Sequence, residues 1–565
     1  MFELALLHLF SNLKINFFRL LEEMFSPFFD SLNMAAVIPG LSLPEIQEII
    51  NSLGVEPLDP AVLDELLGKV QAIEDQVNGE FFNAAPGVVS DELARIVVEN
   101  FVLGRDTIVE PFFEVGEGEE FRLNGSIFSP IVLNQGIIFD DGSLGDNIFS
   151  GFLSNEGRID FGSGKDFVLA ITGGLANGGL LSTGFGTDLI SGTATGSIRV
   201  DGILNEGALI TGGGGDQIIG NALGLRDVDG IENSGGGEII TGRGDDLIDG
   251  EASGTDGVGG INNDNSAVIR TGFGNDQIFG IADDLTGLAE FGEMSGILNR
   301  GNSLINAGVG EDLIQGVALV KAVTESGRIA GINNDSSRIK LDSGADGLFG
   351  SAVAAGATSA SGVFSLLGEI DAGRGKDFVG GVAEAQDGQT VSGVALVSSK
   401  LQLGSGEDVI QGLATGGLIN AGVFVDQNSV ITAGSGADSL LGGGWSSGDN
   451  SAITNLGLIK MGRGNDLVDA FIGGFSGDGL TSLGAGDDQL VGFGTGFFDG
   501  GRGLDTLQLG EGEYVFDSFA GTLESGGITM NLTNIEQVGG VADTQFLLLQ
   551  DGTYVVNAEN QIQFV

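Results

Sequence analysis

Aspartates at the end of a G-x-G-x-D pattern recur along most of the chain: Asp166, Asp188, Asp216, Asp246, Asp276, Asp312, Asp377, Asp408, Asp438, Asp466, Asp488 and Asp505. Asp346 joins the series in "DSGAD", where Asp342 stands in the place of the first glycine. Alternate glycines let a backbone take positive φ and turn its carbonyls to one side. The aspartate adds a carboxylate to that side. Calcium takes six to eight oxygens in flexible geometry, and such a corner offers several. One corner alone is incomplete, so a second must stack about 4.8 Å away. Tying the carboxylate to backbone N–H groups is the other chemistry open to the same residues.

The elements that place these corners follow from the spacing. Successive aspartates from Asp166 to Asp505 lie 22, 28, 30, 30, 36, 34, 31, 31, 30, 28, 22 and 17 residues apart. A second landmark falls between them: "GILN" at 202, "GIEN" at 230, "GINN" at 260, "GILN" at 296, "GINN" at 331 and a weakened "AITN" at 452. Its asparagine precedes the next aspartate by 11 to 13 residues: Asn205, Asn233, Asn263, Asn299 and Asn334. Segments such as "DQIFG", "GILN" and "ALITG" alternate apolar and polar residues, as strands with one inward face do. Three short strands and three corners fill one repeat. The fold expected is mainly β: a parallel β-helix, or β-solenoid, of about thirteen coils with one G-x-G-x-D corner each. The recurrent asparagine either forms a ladder from coil to coil or marks a simple turn. Coil length predicts a body narrow at both ends and widest near 276–346, with "ADDLTGLAEFGEM" as a candidate protruding loop.

The flanks differ. Residues 1–110 lack the repeat and carry helix signals, including a capping box at "SLPE" (Ser42–Glu45), a start at Asp59-Pro60, and Ser90 followed by "DELARIVVENFVLG". They predict a small α-helical N-terminal domain. Within it Phe10, Leu13, Phe17, Leu20, Met24 and Phe28 fall at helical spacing on a segment apolar nearly all round, which must be buried in a cap or a subunit contact. Residues 111–510 form the solenoid. Residues 511–565 read as longer strands, "DTLQL" to "QIQFV", and predict a β cap over the sheet edge.

Composition narrows the function. The chain has 565 residues, 102 glycines and a formal charge of −55 from 78 acidic and 23 basic residues. Such a chain repels nucleic acid. Thirteen divalent ions would bring −55 to −29. Cysteine is absent and His8 is the single histidine, so disulfides, zinc sites and Cys or His nucleophiles are excluded. The first residues lack a basic leader, and Lys14, Arg19, Glu22 and Glu23 interrupt any transmembrane segment.

The corners resemble the RTX, or haemolysin-type, calcium-binding repeat family, in "GRGDDLIDG" (242–250), "GFGNDQIFG" (272–280) and "GRGNDLVDA" (462–470). "TNIEQVGG" (533–540) resembles the segment that often follows such arrays. The resemblance covers scattered motifs over 140–545. It implies that glycine carbonyls and the aspartate carboxylates named above chelate calcium. It also implies export through a type I channel by an uncleaved C-terminal signal, and folding outside a bacterial cell. The departure from the family is one corner per large coil instead of paired turns on a small one.

The function expected is a secreted or cell-surface calcium-binding structural protein: a surface-layer, matrix or filament subunit that assembles with copies of itself. An adhesin, with cell-surface polysaccharide among its partners, is the second reading. A β-helix polysaccharide lyase or hydrolase is the third, because "RIK" (Arg338–Lys340) occurs on such scaffolds; no catalytic set accompanies it. "RGD" (243–245) lies inside a repeat corner, and Asn531-Leu532-Thr533 reads as part of a strand.

Overall fold

The computed structural model describes residues 106–565 except 141–144, 285–292, 322–326, 356–358, 387–389 and 446–448. The helices expected over 1–110 lie outside the described residues. In the unit Glu110–Val565 the described elements are strands. Successive coils pair in parallel and in register, so the solenoid expected from the spacing is the fold.

One coil shows the plan. Its strands are Gln217–Leu223, Arg226–Asn233 and Glu238–Arg243. Each lies on its counterpart in the next coil, Ile218 on Ile248, Ile231 on Ile261 and Ile239 on Ile269. These three columns point inward and are fully buried. They make the main core, and β-branched residues suit it because they pack well on a pleated surface.

The first two strands do more than bound this core. Gly220 and Gly230 meet across the coil: a Cβ on Gly220 would lie 2.1 Å from the Gly230 carbonyl oxygen. Beyond this pinch the two strands run on, face to face, as a thin fin. The fin has its own core of small residues, including Ala222, Val228, Ala252, Val258, Ala282 and Met294. Varying coil length goes into the fin. The first strand grows from seven residues at Leu189–Thr195 to nine at Gly347–Ala355 and Phe378–Gln386. It shrinks to six at Leu467–Ile472 and three at Gln489–Val491. The longest coil, Asp276 to Asp312, has a first strand of eight residues, Gln277–Asp284; most of the expected loop at "ADDLTGLAEFGEM" falls on 285–292, outside the described residues.

The fin begins at one strand. Gly125–Asn134 and Asn147–Asn155 run unbroken. Phe167–Asn177 pairs with Asn147–Asn155 on one flank. On the other it splits its pairing, with Leu189–Ala194 along its first half and Ile203–Asn205 along its end.

The asparagines form the ladder. Asn205 Nδ2 donates to Asn233 Oδ1, Asn233 to Asn263, Asn263 to Asn299 and Asn299 to Asn334, each at 2.8 Å. Each also donates to a third-strand carbonyl of the next coil, as Asn233 Nδ2 does to Val268 O at 3.1 Å. Three further rungs precede these, Asn134, Asn155 and Asn177, joined at 2.7 Å. Asn455 of "AITN" stands apart from the amide ladder and donates instead to Leu480 O and Thr481 Oγ1.

At the C-terminal end pairing turns antiparallel. Gly512–Asp517 pairs with Thr522–Ser525 and with Gly552–Val556. Ile528–Thr533 still lies parallel on the third-strand column at Gly496–Asp499, so these strands close over the last coils. Buried Tyr554 anchors them, its hydroxyl donating to Gln550 O at 2.9 Å and accepting Gln550 N–H at 2.7 Å.

Asn263→Ala removes the ladder acceptor of Asn233 Nδ2, which keeps only Val268 O, and leaves Asn299 Oδ1 without its donor inside a buried column. A buried polar group left unpaired costs about 1–3 kcal/mol. The expected outcome is a lower thermal midpoint by circular dichroism, with Asn455→Ala, outside the ladder, lowering it less.

Candidate metal centre

All thirteen aspartates singled out in the sequence lie in one file along one corner of the solenoid. Each is at most 2% exposed. The corner forms because glycine is required where coils stack. Gly244 has φ +130°, and a Cβ there would lie 1.2 Å from the Gly214 carbonyl oxygen. The carbonyl of one corner thus occupies the space a side chain would need in the next. Asp342 takes the same left-handed region at φ 64°, which aspartate tolerates better than most residues.

The carboxylates are tied to the backbone in one direction. Asp216 N–H donates to Asp246 Oδ1 at 2.8 Å, Asp246 N–H to Asp276 Oδ1 at 2.9 Å and Asp276 N–H to Asp312 Oδ1 at 2.8 Å. The same bond links Asp166 to Asp188 and Asp188 to Asp216, each at 2.9 Å. It continues through Asp346, Asp377, Asp408, Asp438, Asp466, Asp488 and Asp505. Two members escaped the motif search. Asp146 precedes the series, accepting Gly125 N–H at 2.6 Å and donating its own N–H to Asp166 at 2.5 Å. It follows a single Gly in "LGD". Glu536 of "TNIEQVGG" ends the series, its Oε2 accepting Asp505 N–H at 2.9 Å.

The second oxygen is different. Oδ2 of all thirteen sequence-predicted aspartates is buried and has no hydrogen-bond partner. Burial therefore raises the proton affinity of these carboxyls, opposed by the backbone N–H and, at Asp188, Asp216, Asp246 and Asp276, by the hydroxyls of Thr183, Thr211, Thr241 and Thr271, and aided at most of them by neighbouring carboxylates. Asp166 is pushed up to about 8, Asp312, Asp346, Asp408 and Asp466 to about 7, and Asp216, Asp276, Asp377 and Asp488 to about 6. Asp188, Asp246, Asp438 and Asp505 are raised by the same cause.

These residues fit a hard divalent cation. The orphaned, buried Oδ2 atoms are hard anionic oxygens of the kind such a cation prefers. At Gly186 the space of the absent side chain faces the Gly164 carbonyl oxygen and the hydrogen-bonded Asp188 Oδ1, which a Cβ would meet at 1.4 Å and 3.0 Å. A bound cation supplies charge neutralisation where a proton otherwise must.

The other sequence motifs have structural partners. Arg338 and Lys340 of "RIK" face Glu369 (3.2 Å) and Asp371 (4.0 Å) of the next coil. Arg243 of "RGD" lies over the Phe273 ring, 5.7 Å from its centroid. Asn531 Nδ2 donates to Gly496 O at 3.0 Å. Among the described residues no helix is long and apolar enough to cross a membrane.

Fold and site together define a three-cornered parallel β-solenoid with a buried carboxylate ladder. Compared with protein-family models, with curated proteins and with solved structures, the chain matches none.

The raised proton affinities set a pH dependence. A carboxyl whose folded pKa lies above its unfolded value stabilises the fold fully below about pH 4, and that stability is lost as pH rises through the folded pKa. With metal chelated, the thermal midpoint is expected to fall between pH 5 and pH 8. Ordinary carboxyls titrate below this window, and His8 is the single histidine. A midpoint level across it would count against buried, proton-holding carboxyls.

Proposed function

We propose that the chain is an extracellular calcium-binding structural protein of the RTX kind, a surface-layer, matrix or filament subunit whose solenoid is completed by calcium along its aspartate corner. The observation that carries this reading is the file of carboxylates with one buried oxygen left over in every coil. A mobile cation from the medium neutralises such a file at neutral pH, where protonation alone is unfavourable. The excess of acidic residues, −55 overall, relaxes in the same step. Secretion by a type I route suits a fold that needs calcium abundant outside the cell.

Assembly with other copies is the second part of the proposal. Support comes from apolar side chains left open at the C-terminal strands: Phe519 is fully exposed, and Leu548 and Val565 are largely so. A contact between unlike ends gives an open filament when its rotation does not close.

Calcium titration by calorimetry, paired with melting curves in calcium and in chelator, tests the metal. Ten times the dissociation constant contributes about 1.4 kcal/mol per site, so many sites together move the midpoint by tens of degrees. Identical curves in calcium and chelator at pH 8 would overturn the reading. Negative-stain microscopy tests assembly: fibres or sheets with calcium are expected, and monomers at high concentration would refute self-assembly alone.

A further inference from the structure

A second group of carboxylates lies away from the corner, on the outer side of the second strand. Asp201 and Asp229 are register partners in adjacent coils, and Glu232 follows on the strand Arg226–Asn233. One oxygen from each of Asp201, Asp229 and Glu232 lies within 4.8 Å of the others. The strand bends at Gly230, where the fin leaves the body, and this brings outward residues three apart into one crease. The same crease brings Ser451 Oγ and Thr454 Oγ1 to 2.5 Å further along.

The crease is poorly compensated. Arg199 approaches Asp201 at 3.8 Å and Glu232 at 3.6 Å, but its side chain is more than half exposed. Three carboxyl groups thus share one guanidinium. Asp229 is buried, and its side-chain partner is Asn262, whose Nδ2 donates to Oδ2 at 3.1 Å. Its Oδ1 fills the space of the side chain that Gly259 lacks in the next coil, 2.3 Å from where a Cβ would be. A separate observation points to a ligand. The Asp201 side chain is only 9% exposed, and its Oδ1 has no hydrogen-bond partner. A buried carboxylate oxygen without a donor, on a side chain grouped with two further carboxyls, is costly unless a cation or proton compensates it.

We propose that Asp201, Asp229 and Glu232 bind one divalent cation, calcium, at a site separate from the aspartate corner. Asp201 and Asp229 supply the dry side of the shell. Glu232, whose side chain is 15% exposed, and water supply the remaining side. The site falls where the fin is first fully formed, on the coils of Ile198–Asn205 and Arg226–Asn233. An ion there clamps the base of the fin across two coils. This inference does not rest on calcium in the corner.

The test is the calcium content of the full chain, measured by atomic emission after dialysis at about 0.1 mM free calcium. Glu232→Gln and Asp201→Asn are each expected to lower it by one ion per chain. Asp227→Asn, at an exposed neighbour with φ 54° that asparagine accepts, is expected to leave it unchanged. Hydrogen exchange then locates the loss: calcium-dependent protection of Arg226–Asn233 should fall about tenfold in Glu232→Gln and stay intact at Leu467–Ile472. If the corner holds no metal, the parent chain still carries one ion and Glu232→Gln none. Equal calcium content in parent and Glu232→Gln, whatever its value, overturns the proposal. A loss accompanied by exposure throughout the solenoid overturns it too, because the residue is then structural.

Discussion

A buried carboxylate must be neutralised, hydrogen-bonded or both, and this chain stacks fourteen of them in one column. Oδ1 answers the requirement from within the fold, by accepting the N–H of the preceding coil. Oδ2 of the thirteen from Asp166 to Asp505 has no such answer. In-register parallel stacking is what makes the problem collective. About 4.8 Å separates each acid from the next, so ionising one raises the cost of ionising its neighbours. The column therefore titrates as a coupled unit, and the pH response of the solenoid follows from that unit.

The opposite column, of asparagine, solves the same burial problem internally. A primary amide both donates and accepts, so each side chain satisfies the next without any outside species. From Asn134 to Asn334 the two columns thus divide the labour of one coil: the amide file is satisfied from within, while the carboxylate file keeps one oxygen over. Direction matters as well. The aspartate bonds run one way along the stack, and Glu536 terminates them with a longer side chain where the last strand, Gln537–Gly540, meets Thr506–Leu509.

Much of this was legible in the sequence because a column in space is a period in the chain. The thirteen aspartates and the five asparagines from Asn205 to Asn334 appear as intervals, and intervals give coils. Asp146 and Asn134, Asn155 and Asn177 were missed because their flanks lack the second glycine or the "GI" pair that made the others visible. The fin was missed for a different reason: Ala222 and Val228 alternate with polar neighbours just as main-core residues do, and only the Gly220–Gly230 pinch separates the two cores. The grouping of Asp201, Asp229 and Glu232 depends on pairing between coils and on a bend at Gly230, neither of which a linear spacing contains. Where the corner glycines are concerned, the sequence pointed to carbonyls turned inward, and the structure adds a steric reason: at Gly244 the neighbour's oxygen leaves no room for a side chain.

The fin separates two quantities that are coupled in a simple solenoid, the perimeter of a coil and the phase of its corners. Between Asp246 and Asp408 the coils differ in length by up to six residues, yet the aspartate ladder keeps step, because the variation falls between the first and second strands, on the far side of the pinch from the corner. Such a stack can accept insertions without re-indexing its neighbours. The chain is in this sense a ruler with an adjustable margin: the graduations along its axis are fixed by side-chain chemistry, and the width of the page is free to vary under selection for whatever surface the margin presents.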